Sequence, residues 1–389
     1  LGEKALTAIL ESIFGGLSIA SVLLLAALGL AIVFGLMGVI NMAHGELMML
    51  GAYTTFVVQN ALKGTPLESV YILVALIAAF IMAGLLGIIL ERGVVRYLYG
   101  RPLETLLATW GVSLILQQLV RSISWQLTTG TALFSLIFFG TLWFLAQRGD
   151  FDRIRNWFFG VMLPLSAAIA WFVSDLLGKI YKMPFTRPWF GTQGVDVTAP
   201  SWLRGGVPIV PGYQLPFTRL FIILLTAACL LGVYWFLNKT VWGLRIRAVT
   251  QNRNMSACLG IPTQKVDALT FAIGSGLAGV AGCAVSLLGS VSSNLGQQYL
   301  VDTFMVVVVG GVGKLIGSIA AAIGIGLLNY VIASNALGPL LSFSPALTGI
   351  SEFFASGPMA KVFVFALIVL FLQVRPAGLF PQKGRTVDA

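Results

Sequence analysis

Three side chains able to do chemistry sit together in the segment MGVINMAHGELMMLG at 37–51: Asn41, His44 and Glu46. They fall between two apolar runs. Ionisable groups there are costly unless they face a cavity or the interior of a helix bundle. On a helix, Asn41, His44, Met48, Thr55 and Gln59 share one face. Two readings stand side by side. Asn41 can cap the second helix, with Glu46 in its first turn favoured by the helix dipole. Alternatively, the group lines a solute path, with His44 bonded internally rather than to a ligand.

A second constellation follows Glu104, where Thr105, Thr109, Ser113 and Gln117 recur every four residues. Such hydroxyls can bond back to their own backbone. Four in register read instead as the lining of a polar path. Neutral donors and acceptors suit a small uncharged solute. A zwitterion would want countercharges as well, which helix ends can supply. The third constellation is LRIRAVTQNRNMSACLGI at 244–261, with Arg245, Arg247, Gln251, Asn252, Arg253 and Gly260. It reads as one or two short amphipathic helices, serving either as a lipid-headgroup anchor or as a docking element for a cytosolic partner.

Catalytic chemistry finds little support. A single histidine excludes a multi-His metal site and leaves Ser275 without a nearby base. Gly310-Gly-Val-Gly-Lys-Leu resembles a nucleotide-binding P-loop only at a glance. Val308 stands where the first glycine belongs, and Leu315 follows Lys314. Cys229, Cys258 and Cys283 lack CxxC spacing and read as small buried hydrophobes. No catalytic residue, metal site or cofactor is expected in this chain.

The elements that must position these residues are membrane helices. The chain has 389 residues, 58% of them apolar and only 10% charged, and its mean hydropathy is +0.93. So few charges cannot cover a soluble protein of this size. An ordinary soluble enzyme, a disordered chain and a disulfide scaffold are excluded. The expected fold is all-α, a polytopic transmembrane bundle of about ten spans. These lie at 13–36, 43–59, 69–90, 105–120, 127–146, 157–177, 219–237, 267–289, 315–333 and 359–374. The apolar run 302–309 is too short to cross and reads as a re-entrant half-helix. The chain opens on Leu1, which fits processing or truncation at that end.

The net charge of +10 reports topology rather than nucleic acid. Lys239, Arg245, Arg247, Arg253 and Lys265 crowd the acid-free loop 238–266, which is therefore placed in the cytoplasm. Counting spans also puts inside the loop with Arg92, Arg96 and Arg101, the loop with Arg148, Arg153 and Arg155, and the tail with Arg375, Lys383 and Arg385. Residues 178–218 fall outside despite their basic residues, and their Pro and Gly content suggests an ordered loop. The uncharged loop 290–301 and the N-terminus also fall outside. Small residues four apart (Ser275 and Gly279, Ala278 and Gly282, Gly313 and Gly317, Ala320 and Gly324, Ala322 and Gly326) mark 267–333 as a tightly packed centre or a subunit interface.

Several segments together carry a family resemblance. GLMGVINMAHGELMMLGAY at 35–53 resembles the signature of LivH-type permeases, the membrane subunits of branched-chain amino acid ABC importers and their relatives. RAVTQNRNMSACLGIPTQKVDALTFAIGSGLAGVAG at 247–282 and VDTFMVVVVGGVGKLIGS at 301–318 resemble its cytoplasmic loop and late Gly-rich segment. ERGVVRYLYGRPLETLLATWGVSLILQQLVR at 91–121 is similar to the urea-transporter branch, the UrtB-type permeases. The resemblance implies an eight-span core in a bacterial inner membrane, paired with a second related permease. Its other partners would be two cytosolic ATPases using ATP and Mg, and a periplasmic solute-binding protein. Residues 244–261 stand where the family's ATPase-coupling helix lies. Of its Glu-Ala-Ala…Gly pattern only the spacing to Gly260 is kept, behind Asn254, Met255 and Ser256. Residues 122–194 match nothing in the family pattern and read as an inserted transmembrane hairpin with an external segment, between cores at 1–121 and 195–389. The expectation is thus a permease subunit for urea. The alternatives are a branched-chain or other amino acid permease of the same kind, or an ATP-independent channel or secondary carrier.

Overall fold

The computed structural model describes residues 2–147, 151–181, 187–190, 194–210, 213–335 and 353–380. Arg148, Lys182, Lys383 and Arg385, and the side chains of Arg153 and Arg155, lie outside what is described. The chain forms two compact units, residues 1–114 with 196–389, and residues 115–195.

In the first unit, α1 spans Gly2–Met37, α2 His44–Leu62, α3 Tyr71–Gly93, and α4 starts at Pro102 and runs on to Ser122. The apolar run of α1 ends where Gly38 takes φ +68° and its N–H closes on the Phe34 carbonyl at 3.0 Å. Only a glycine adopts that conformation cheaply. Pro102 occupies the first helical position of α4, where its missing N–H costs nothing. A small hairpin pairs β1 (Gly206–Val210) with β2 (Tyr213–Pro216), Val207 opposite Leu215. It belongs to the loop expected to be ordered. Then follow α7 (Phe217–Lys239), α8 (Val241–Gln251), α9 (Arg253–Cys258), α10 (Thr263–Ser286), α11 (Leu295–Gly310), α12 (Leu315–Ala333) and α13 (Gly357–Val374).

The centre of this unit is α10, packed against α1, α2 and α3, with α12 against the other flank of α1. Lipid removes most of the hydrophobic drive for helix association, so close backbone approach must supply it. Gly279 meets Gly51 and Ala79, Gly282 meets Met48, and Gly326 meets Ala20. The small-residue pattern is therefore only half buried. Gly324 has open space beside it, and Ala320 is exposed. An ion pair between Asp302 and Lys361 (3.2 Å) ties α11 to α13.

The second unit contains α5 (Trp125–Ala146) and α6 (Phe151–Tyr181), paired side by side. Ser124 caps α5 by accepting from the Leu127 N–H at 3.2 Å. Ser174 donates to the Gln126 carbonyl at 2.6 Å. Phe138 packs on Phe158 with ring centroids 5.8 Å apart. Trp143, Trp171 and Phe172 point outward, as side chains facing lipid do.

Among the described residues, eight helices are long and apolar enough to cross a membrane, rather than the expected ten. Polar Glu46, Thr54, Thr55, Gln59 and Asn60 keep α2 below that mark. The helix expected at 359–374 forms as the 18-residue α13, of which the stretch Met359–Val374 is counted among the shorter apolar helices. The short run expected at 302–309 is the second half of a 16-residue helix, α11. Its first turns were missed because Gln297 and Gln298 interrupt the apolar pattern while facing outward. Of the cysteines, Cys283 is buried and Cys229 half-buried, but Cys258 is exposed, against the expectation that all three pack inside.

Candidate functional site

The irregular segment 38–43 builds the start of α2. The Asn41 side chain accepts from the Ala43 N–H at 3.0 Å, and its carbonyl accepts from the His44 N–H at 3.3 Å. Asn41 is therefore a turn-former ahead of the helix rather than its cap, a position held by Ala43. His44 and Glu46 follow in the first turn, both buried. His44 Nε2 lies 3.1 Å from the Ala26 carbonyl, near the middle of the apolar stretch Glu11–Met37. The expectation that His44 bonds internally matches this contact. If Nε2 donates there, Nδ1 is left as an acceptor.

The stripe on α4 closes over this turn. Ser113 donates to Glu46 Oε1 at 3.0 Å. The Met42 N–H donates to Thr109 Oγ1 at 3.1 Å. Thr105 is buried but bonds to the carbonyls of Leu98 and Arg101, as the backbone-bonding reading of that residue has it. Gln117 lies one turn beyond Ser113 and belongs to the second compact unit. The two constellations, separate in sequence, thus form one buried cluster through Asn41, Glu46, Thr109 and Ser113.

A second helix start meets the first. Gly45 and Gly296, each the second residue of its helix, touch backbone to backbone. A Cβ on either would overlap the other's main chain. Helix N-termini carry unpaired N–H groups and a partial positive charge. Two of them therefore abut at the Gly45–Glu46 backbone, next to His44, whose ring reaches Ala26 about two-thirds of the way along α1. In this cluster Asn41 Nδ2 and His44 Nδ1, and on α10 beside Gly87 of α3 Ser275 Oγ, are buried and without hydrogen-bond partners among the described residues. Each such atom costs about 1–3 kcal/mol unless water or a ligand satisfies it.

The basic element lies elsewhere. Thr240 caps α8 through the Gly243 N–H at 3.0 Å, and Asn252 caps α9 through the Met255 N–H at 2.9 Å. Gly260, at φ +78°, ends α9 with the Ile261 N–H on the Ser256 carbonyl. Arg245 lies over the Trp242 ring at 4.9 Å. Arg247 donates to Asn238 at 3.4 Å, and Gln251 is exposed. Arg253 turns back onto the bundle. It pairs with Asp267 at 2.6 Å, a charge contact rather than an aligned hydrogen bond, and stacks on Tyr99 at 4.7 Å. The Tyr99 hydroxyl donates to Glu91 at 3.4 Å, and Arg96 pairs with Glu91 at 3.3 Å. Burial and the neighbouring Asp267 and Glu91 push the Tyr99 phenol above its usual range, so it stays a donor. Sequence reasoning missed Glu91, Tyr99 and Asp267. The available signal was an acid at the end of each of two apolar runs placed on the same side as surplus arginine.

The family model described as branched-chain amino acid transport system / permease component matches residues 12–372. The high-affinity branched-chain amino acid transport system permease protein LivH of Salmonella typhimurium is 27% identical over 377 residues, covering 95% of this chain and 94% of the relative. BraD of Pseudomonas aeruginosa, which bears the same description, is 26% identical over 378 residues, covering 95% of each. The ribose import permease protein RbsC of Haemophilus influenzae is 28% identical over 172 residues, covering 42% of this chain and 51% of the relative. No solved structure matches the chain significantly. A family match that runs from α1 to α13, on a chain whose described residues include eight apolar helices long enough to span a bilayer, makes this multi-pass membrane protein a member of the permease components of branched-chain amino acid transport systems, a transport subunit rather than an enzyme.

Proposed function

We propose that this chain is the permease subunit of an ATP-driven importer in a bacterial inner membrane. It takes branched-chain amino acids from a periplasmic binding protein and releases them to the cytoplasm. A second related permease completes the path, and two cytosolic ATPases hydrolyse ATP. The observation that carries this reading is the meeting of the α2 and α11 N-termini at Gly45 and Gly296, one residue from Glu46, to which Ser113 donates. Paired helix N-termini favour a carboxylate, and Glu46 favours an ammonium. A zwitterion therefore finds both countercharges. The relatives' names point to the same class of solute. Urea is the second reading, supported by the uncharged stripe Thr109/Ser113/Gln117 and the wording of 91–121. In proteoliposomes holding the assembled importer, labelled leucine uptake should depend on ATP and be absent from permease alone. Urea uptake without leucine uptake would overturn the amino acid reading. Uptake by the permease alone would favour a channel or carrier.

In this reading α11 is re-entrant, 238–266 faces the cytoplasm, and 122–194 is an insert in the family core. Two long-range contacts support the sidedness. Loop 94–101 meets 253–267 through Tyr99, Arg253 and Asp267. Residues 59–71 meet 198–202 through Tyr71, Thr198 and Trp202. Each pair joins segments that the charge pattern places on one side. The separate unit at 115–195 supports the insert. Docking of the ATPase falls to α8 and α9, where Leu244, Met255 and the residue that follows α9, Leu259, are exposed beside the arginines. Reversing charge with Arg245→Glu and Arg247→Glu should cut ATPase co-purification several-fold, while the permease elutes as wild type. Unchanged co-purification would place the motor contact elsewhere.

A further inference from the structure

The far end of α2 holds a second polar site. A cavity of about 470 Å³ opens between the end of α2, the turn before α3 and the segment 196–204. That is the size of a small-molecule pocket. Its walls are tied together. Tyr71 donates to the Thr198 carbonyl at 2.7 Å, Gln59 donates to the same carbonyl at 3.2 Å, and the Trp202 indole donates to the Ser69 carbonyl at 2.7 Å. Beneath lies an apolar cluster that includes Tyr71, Ile72, Leu203 and Cys283.

Four charged side chains line this one cavity: Lys63 and Arg204, Glu68 and Asp196. Among the described residues no ion pair joins any two of them. Two unneutralised charges of each sign around one concave space favour a ligand that itself carries both. Phe56, Tyr71, Ala199 and Pro200 add apolar wall, enough for an aliphatic side chain. Urea would leave all four charges unused. We infer that this cavity is a receiving site for a small zwitterionic α-amino acid. The carboxylate faces Lys63 and Arg204, the ammonium faces Glu68 and Asp196, and the side chain lies over the apolar wall. The site stands one helix length, about 28 Å, from the Glu46 cluster. Its rim is exposed, so the charge contacts are screened and the affinity is roughly millimolar. Weak binding suits a station that solute must leave again. The inference rests on the amino acid reading for its choice of solute, but not on transport.

The test is saturation-transfer NMR of leucine on the whole importer in nanodiscs, without ATP or binding protein. The leucine signal should saturate and fall at least fivefold in the double variant Lys63→Gln/Arg204→Gln. It should persist in Arg92→Gln, an exposed charge outside the cavity. Leucinamide, which lacks the carboxylate, and 4-methylpentanoate, which lacks the ammonium, should each compete at least fivefold more weakly than leucine. An unchanged signal in the double variant, or leucinamide competing as well as leucine, overturns the site. An importer that transports leucine yet shows no such binding overturns the receiving site alone. One that binds leucine here and transports none supports the site and overturns the transport reading.

Discussion

Gly45→Ala should be among the most damaging single-methyl changes in this protein, and Gly111→Ala nearly silent. The new Cβ at Gly45 would overlap the carbonyl of Gly296. Overpacking usually costs about 1–3 kcal/mol because side chains can shift. Here the obstacle is main chain in the first turn of α11, so relief requires moving a helix, and the cost should reach or exceed ~3 kcal/mol. That consumes a large part of a typical folding margin of roughly 5–15 kcal/mol. At Gly111, on α4, nothing lies within 4 Å of the added methyl. There alanine only gains helix propensity, worth about 1 kcal/mol. Monodisperse protein recovered after mild detergent extraction, with its thermal midpoint, is the measurement. If Gly45→Ala behaves like Gly111→Ala, the two helix starts do not meet and the central cluster is wrongly drawn. Gly296→Ala probes the same contact from the other side and should fail in the same way.

How much of this was legible beforehand depends on the range of the signal. The apolar runs that became α1, α3, α7, α10 and α12 stand out because composition alone marks them. The run of α2 is interrupted by the polar residues that bring it into the interior, so it reads as a span but falls short of one by apolarity. Spacing correctly put Thr109 and Ser113 on one helix face. It could not say that the face opposite them was the 42–46 turn, since periodicity gives faces and not partners. The same limit hid Glu91, Tyr99 and Asp267, whose meaning lies entirely in contacts made across the fold. Arg253 was grouped with the outward arginines because its neighbours in sequence are basic. In the structure an acid on the next helix turns it inward. Small residues at four-residue spacing were a true sign of close packing in α10, and in α12 the same spacing serves both a buried and an exposed face.

Replacing Glu46 should separate the two solute readings more sharply than any other single position. Glu46→Ala removes the acceptor of the Ser113 hydroxyl in a buried place, a loss of about 1–3 kcal/mol. It also removes the acid that, ionised beside the two helix N-termini, would supply the cluster's negative charge. If that charge holds an ammonium during passage, the combined penalty is about 3 kcal/mol, or roughly a hundredfold in leucine flux. Glu46→Gln keeps a carbonyl oxygen for Ser113 to donate to and removes only the charge. For a zwitterion, this variant should still lose at least tenfold in leucine uptake, while its assembly with the ATPases matches wild type. For a neutral solute such as urea, uptake through Glu46→Gln should stay within about twofold, because the hydrogen-bond geometry survives and no charge partner is lost. Ser113→Val gives the complementary control. It strips the hydroxyl and leaves Glu46 without that bond, so both solutes should slow, by about tenfold for ~1.4 kcal/mol. Wild-type leucine flux in Glu46→Ala and Glu46→Gln alike would remove the cluster from the path, whatever its part in holding α2 against α4.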